Sequence, residues 1–170
     1  WELRGESHVH TFSSVMCWVA CDRLARIAAR LGLTQRAAHW QAVAAPMRET
    51  ILQRAWNPQQ GSFVSTFEGV DVDASLLLLS ELRLVTPQDP RFQATVERIG
   101  RELMVGDFVF RYRHADDFGA PDNAFLVCTF WYINALAATG RRDEARSLFA
   151  TMLERRNHLG ILSEDLDPAT

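Results

Sequence analysis

Apolar residues recur at helical spacing through most of this chain. Phe12, Val15, Met16, Val19, Leu24, Ile27, Ala28 and Leu31 fall at i, i+3, i+4 and i+7, with Asp22, Arg26 and Arg30 off the stripe. The pattern predicts an amphipathic helix that Gly32 ends. A second helix is expected from about Thr34, its N-cap, to Trp56, with Trp40, Val43, Met47, Leu52 and Ala55 inward. Pro46 inside it predicts a kink or a restart. Asn57-Pro58 and Gly61 then break the chain, and Ser62 to Phe67 reads as a short extended excursion. A third helix, from near Asp73, carries Leu76, Leu77, Leu78 and Leu79 and is apolar nearly all round, as in a helix packed between neighbours. A fourth runs from about Pro90 to Met104 with Phe92, Val96, Ile99 and Leu103 inward. The fifth, about Asp122 to Ala138, is apolar on most faces. The sixth, Asp143 to Arg156, turns Ala145, Leu148, Phe149 and Met152 inward.

The fold class is therefore all-α: helix pairs in which apolar helices alternate with amphipathic ones, as an inner and an outer layer would produce. Two long connections, Asn57 to Val72 and Gly106 to Pro121, each join an amphipathic helix to an apolar one. Such segments commonly carry function. Within the second, Phe108-Val109-Phe110-Arg111-Tyr112-Arg113 has strand-like alternation. In extended geometry Arg111 and Arg113 project to one side, and Phe110 and Tyr112 to the other.

Composition narrows the possible functions. The 170 residues are 48% apolar and 23% charged, which fits a single globular segment with a real core. A net charge of -3 argues against a nucleic-acid partner, and no apolar run approaches a membrane span. All 18 basic residues are Arg, so this stretch holds no Schiff-base or P-loop lysine. Three cysteines without a CxxC pair argue against a disulfide framework and for a reducing, cytoplasmic setting. The opening on Trp1-Glu2, in mid-motif, reads as a piece of a longer chain.

Few residues carry candidate chemistry. Trp1-Glu2-Leu3-Arg4-Gly5 sets a carboxylate beside an aromatic plate and an arginine, the mixture that a sugar ring and its hydroxyls need. Glu164 follows Gly160 in Ile161-Leu162-Ser163-Glu164-Asp165. Alone, Glu2 and Glu164 read as surface or helix-capping acids. Together they are of the kind that glycosidic cleavage needs, one carboxyl protonated and one ionised, and six helices between them could bring both to one end of a helical array. The Arg111 fork could hold sugar hydroxyls, or could pair with Asp116 or Asp117. Cys17 and Cys21 with His8 and His10 read as core and loop residues rather than a zinc site, and Trp18, Trp40 and Trp131 as core. Asp116-Asp117 lacks the spacing of a calcium loop. Neither a metal nor a cofactor is expected.

The motifs have an order. Trp1-Glu2-Leu3-Arg4-Gly5, His10-Thr11-Phe12-Ser13 and Met16-Cys17-Trp18-Val19-Ala20-Cys21-Asp22-Arg23 come first. Asp71-Val72-Asp73-Ala74-Ser75-Leu76-Leu77-Leu78, Asp89-Pro90-Arg91 and Phe110-Arg111-Tyr112 follow. Ala124-Phe125-Leu126-Val127-Cys128-Thr129-Phe130-Trp131, Gly140-Arg141-Arg142-Asp143-Glu144-Ala145 and Leu162-Ser163-Glu164 complete the series. In this order the chain resembles bacterial glycoside hydrolase family 15, which holds glucoamylases, glucodextranases and a group of trehalases.

The resemblance implies an (α/α)6 toroid of six hairpins, with residues 1–170 as one segment forming about its second half. It implies Glu2 as general acid, Glu164 as general base, Arg111 holding the nonreducing glucose, and Trp1 and Arg4 lining the cleft. The implied activity is that of an inverting exo-acting α-glucosidase releasing β-glucose from α-glucan or oligosaccharide ends, with α,α-trehalase as the alternative. The implied partners are that glucose-containing substrate and the remainder of the same chain. A helical-hairpin interaction module is the reading from another class, but no 34-residue period links the hairpins. A sugar epimerase is the third, but no His recurs at corresponding hairpin ends.

Overall fold

The computed structural model describes residues 7–116 and 119–168. Among them are five α-helices: α1 (Thr11–Arg30), α2 (Thr34–Arg54), α3 (Pro90–Leu103), α4 (Leu126–Ala138) and α5 (Arg142–Glu154). A six-residue 3-10 helix, Ala74–Leu79, stands where the third helix is expected. Two-residue strands complete the described elements and pair antiparallel: β1 (Trp56–Asn57) with β2 (Ser62–Phe63), β3 (Met104–Val105) with β4 (Phe108–Val109), and β5 (Ala124–Phe125) with β6 (Asp165–Leu166).

The elements pack as three pairs. α1 lies along α2, the 3-10 helix against α3, and α4 along α5. The first members touch one another, α1 to the 3-10 helix and the 3-10 helix to α4. They form one layer, and α2, α3 and α5 form the layer behind it. Between them lies a core that includes Phe63, Leu76, Leu79, Phe92, Ile99 and Val109, all fully buried.

Local chemistry sets several boundaries. The Asp89 carboxylate accepts the Arg91 N–H at 2.9 Å, and Pro90 occupies the first helical position, a strong start for α3. Its predicted inward residues Phe92, Val96, Ile99 and Leu103 are all buried. The Leu-rich third segment is indeed packed between neighbours, but as a 3-10 helix, where residues three apart eclipse. Leu76 and Leu79 then share one face, and both are fully buried.

Other expectations need correction. Thr34 is the first helical residue of α2, and Leu33 is the N-cap. Helix α2 runs through Pro46 without a restart; the Pro46 carbonyl accepts the Thr50 hydroxyl at 2.9 Å. Helix α4 starts at Leu126, not Asp122, because Ala124 and Phe125 are drawn into the β5–β6 pair. The α1 stripe is periodic as expected, yet Met16, Leu24, Ile27 and Leu31 are 43, 42, 54 and 68% exposed. One partner helix is too narrow to cover so broad an apolar face. Cys17 is exposed as well, against its expected core position, and Phe149 on α5 stays accessible. No described helix is long and apolar enough to cross a membrane.

Candidate active site

A ladder of hydrogen bonds gathers the starts of α1, the 3-10 helix and α4. At α1, the Thr11 amide donates to the Ser65 carbonyl at 2.8 Å, and its hydroxyl to the Val64 carbonyl at 2.6 Å. The Phe67 amide returns a bond to the Val9 carbonyl, and the Ser65 amide reaches the Asp71 carbonyl. Two residues further on, Asp73 caps the 3-10 helix. The Ala74 amide donates to the Arg111 carbonyl at 2.9 Å. The Val109 amide donates to the Thr129 hydroxyl at 2.9 Å, joining β4, which leads into Arg111, to α4. Last, the Leu126 amide donates to the Glu164 carbonyl at 2.9 Å. Arg111 and Glu164, 53 positions apart in sequence, are thus both tied to the first turns of this layer.

Alternation along 110–113 follows the predicted pattern. The Phe110 and Tyr112 side chains are buried, Arg111 is half-buried and Arg113 is exposed. The Arg111 guanidinium carbon lies 5.4 Å from the Tyr112 ring centroid. Burial is the main cause that pushes the Tyr112 hydroxyl up to about 12; its bond to Asp116 adds to this and the Arg111 charge opposes it. Asp116 therefore takes the phenol, and among the described residues Arg111 makes no ion pair. Glu164 is exposed, and its neighbour Asp165 is held in the β5–β6 pair.

The buried Cys128 thiol marks where these charges meet. Burial pushes it up to about 12; the Asp73 and Asp165 charges reinforce the shift and the Arg111 charge opposes it. Asp73, Arg111 and Asp165 thus all lie close enough to Cys128 for their charges to act on it. Behind them, Arg98 of α3 is buried and donates to the Ser62 hydroxyl, the Val70 carbonyl and the Glu102 carboxylate, pinning the 62–70 connection.

Trp1, Glu2 and Arg4 lie outside the described residues. The sequence pattern marks Asp73 only as a helix start and does not single out Arg98 or Thr129, although Thr129 is a polar residue inside the apolar run Leu126 to Trp131. Among the described residues no group of His, Cys, Asp and Glu could hold a metal ion. A groove of about 390 Å³ between α1 and α2, lined by Cys17, Met47, Ile51 and Phe67 among others, is mainly apolar and contains neither Arg111 nor Glu164.

Known proteins share both the sequence and the fold. The model of the family described as Glycosyl hydrolases family 15 matches residues 1–168. A trehalase of Thermoplasma acidophilum is 37% identical over 171 residues, covering 100% of this chain and 29% of the relative. A trehalase of Mycobacterium tuberculosis is also 37% identical, covering 99% of this chain and 25% of its own. The chain thus spans well under a third of either relative. Among solved structures, a wild-type glycosidase superposes with a TM-score of 0.81 at 23% identity, covering 94% of this chain and 42% of that one. A glycosidase variant in complex with glucose gives 0.82 at 22% identity, covering 96% and 43%. The hairpins of this all-α chain correspond to about half of an (α/α)6 toroid.

Proposed function

This chain belongs to glycosyl hydrolases family 15, and from that premise we propose that the protein is an inverting α,α-trehalase. The observation that carries a shared hydrolytic site is the ladder that ties Arg111 and Glu164 to the first turns of the α1, 3-10 and α4 layer. The sequence alone puts glucan ends first and trehalose second. Relatives named trehalase, at 37% identity in two distant organisms, support the opposite order.

In this reading Glu2 is the general acid and protonates the glycosidic oxygen. Glu164 is the base and takes a proton from water as it attacks the opposite face of the anomeric carbon. An inverting mechanism needs the two carboxyl groups about 6.5–9.5 Å apart, with room for that water. Arg111 holds two hydroxyls of the glucose whose bond breaks, since its planar fork presents paired donors. Trp1 and Arg4 line the cleft, the ring covering the apolar face of the sugar. The backbone bond to Leu126 sets the position of Glu164 and leaves the carboxylate exposed for chemistry. Residues 1–170 form one segment of the catalytic domain, completed by the remainder of the chain. Three free cysteines support a cytoplasmic setting.

Kinetics of the full-length protein test the proposal. Trehalose should be hydrolysed with a higher kcat/KM than maltose or isomaltose, and Glu164→Gln should lower kcat by orders of magnitude without lowering Tm. Preference for maltose would restore the glucan reading, and an active Glu164→Gln variant would remove the base.

A further inference from the structure

One buried carboxylate has no part in that reaction. Asp73 is only 5% exposed. Its Oδ1 accepts the Ser75 amide at 2.9 Å and the Ser75 hydroxyl at 2.5 Å. This pair of hydrogen bonds from one residue fixes the carboxylate as the cap of the 3-10 helix. Between cap and partner lies Ala74, whose amide is aimed at the Arg111 carbonyl, 2.9 Å away. Further contacts leave the Arg111 backbone little freedom. The Phe110 amide is bound to the Leu103 carbonyl, and the Phe110 and Tyr112 rings are buried on either side.

A peptide unit held at its flanks and at its carbonyl has one orientation, and so does the Cα–Cβ direction of its side chain. If the cap loosens, the Ala74 amide turns and the Arg111 carbonyl loses its donor. We propose that Asp73 is the positioning residue for Arg111: by capping the 3-10 helix it aims the Ala74 amide that holds the Arg111 backbone, and so orients the guanidinium toward the sugar. This rests on the reading of Arg111 as the sugar clamp. It goes further by assigning a role to a residue outside the proposed acid, base and sugar clamp.

The test is a double-mutant cycle in the full-length protein, with trehalose hydrolysis as the readout and Tm recorded for each variant. Asp73→Ala should lower kcat/KM by about 10- to 100-fold, the scale on which a misplaced binding group costs rate. Asp73→Asn keeps an oxygen at the cap and should recover most of that loss. In an Arg111→Lys background, Asp73→Ala should cost little more, because the fork it orients is already gone. Should Asp73→Ala fail to fold, Ser75→Ala takes its place: it keeps the carboxylate, removes one anchor, and should show the same coupling at smaller size. Additive losses in the Arg111→Lys background, or a kinetically silent cap variant, would overturn the positioning role while leaving the clamp in place. Wild-type kinetics for Arg111→Lys itself, or no trehalose hydrolysis by the wild type, would overturn the clamp reading and this inference together.

Discussion

The Leu126 amide and the Glu164 carbonyl are 2.9 Å apart and hydrogen-bonded, so the first residue of α4 holds the candidate base by its main chain alone. The same helix binds β4, two residues before Arg111, one turn later through the Thr129 hydroxyl. Two candidate groups from distant parts of the sequence are therefore referred to one rigid element.

Thr129→Val isolates the second of these links. Valine matches threonine in shape but offers the buried Val109 amide no acceptor, which should cost about 1–3 kcal/mol. Denaturant unfolding should show a lower midpoint with an unchanged m-value, and kcat/KM should fall as β4 and the Arg111 segment after it loosen. An unchanged midpoint would show that α4 does not anchor that strand.

Cys128 predicts a pH dependence. Its thiol is pushed from an ordinary value of 9.0 up to about 12 by burial, then by the charges of Asp73 and Asp165. Between those values the unfolded thiol has lost its proton and the folded one keeps it, so unfolding releases protons and stability falls as pH rises. Tm should decline above about pH 9, and Cys128→Ala should flatten that decline. An equally steep decline in the variant would assign the alkaline loss elsewhere. Alkylation followed by mass spectrometry should leave Cys128 unmodified at pH 8 until the protein is unfolded.

Residues 1–170 expressed alone should self-associate. Met16, Leu24, Ile27 and Leu31 are 43, 42, 54 and 68% exposed along α1, so covering the rest of each contributes about half of the 1.5–3 kcal/mol of full burial. Light scattering should find oligomers or aggregates at micromolar concentration. A monomer that melts cooperatively would show that this face needs no cover.

Side-chain patterns made part of this architecture legible, and main-chain contacts made the rest invisible. Asp89-Pro90 and the i, i+4, i+7, i+11 spacing of Phe92, Val96, Ile99 and Leu103 announce α3 and its buried face. Alternation alone separates Arg111 from Phe110 and Tyr112. The four consecutive leucines announce burial but carry no period, so 3-10 and α geometry look alike. The bonds from Ala74 to Arg111 and from Leu126 to Glu164 join backbone groups that every residue possesses, and no residue type records them. The exposure of the α1 stripe is hidden for a related reason: periodicity shows which face is apolar, while its burial depends on what packs there.

The stereochemistry of the first products tests the central claim most directly. If Glu2 and Glu164 flank the bond as acid and base with a water between them, attack inverts one anomeric carbon of trehalose and leaves the other untouched. Proton NMR within the first seconds of hydrolysis by the full-length protein should therefore show α- and β-glucose in equal amounts, before mutarotation. A first product that is α-glucose alone would mean retention, and Glu164 could not be the base that activates water.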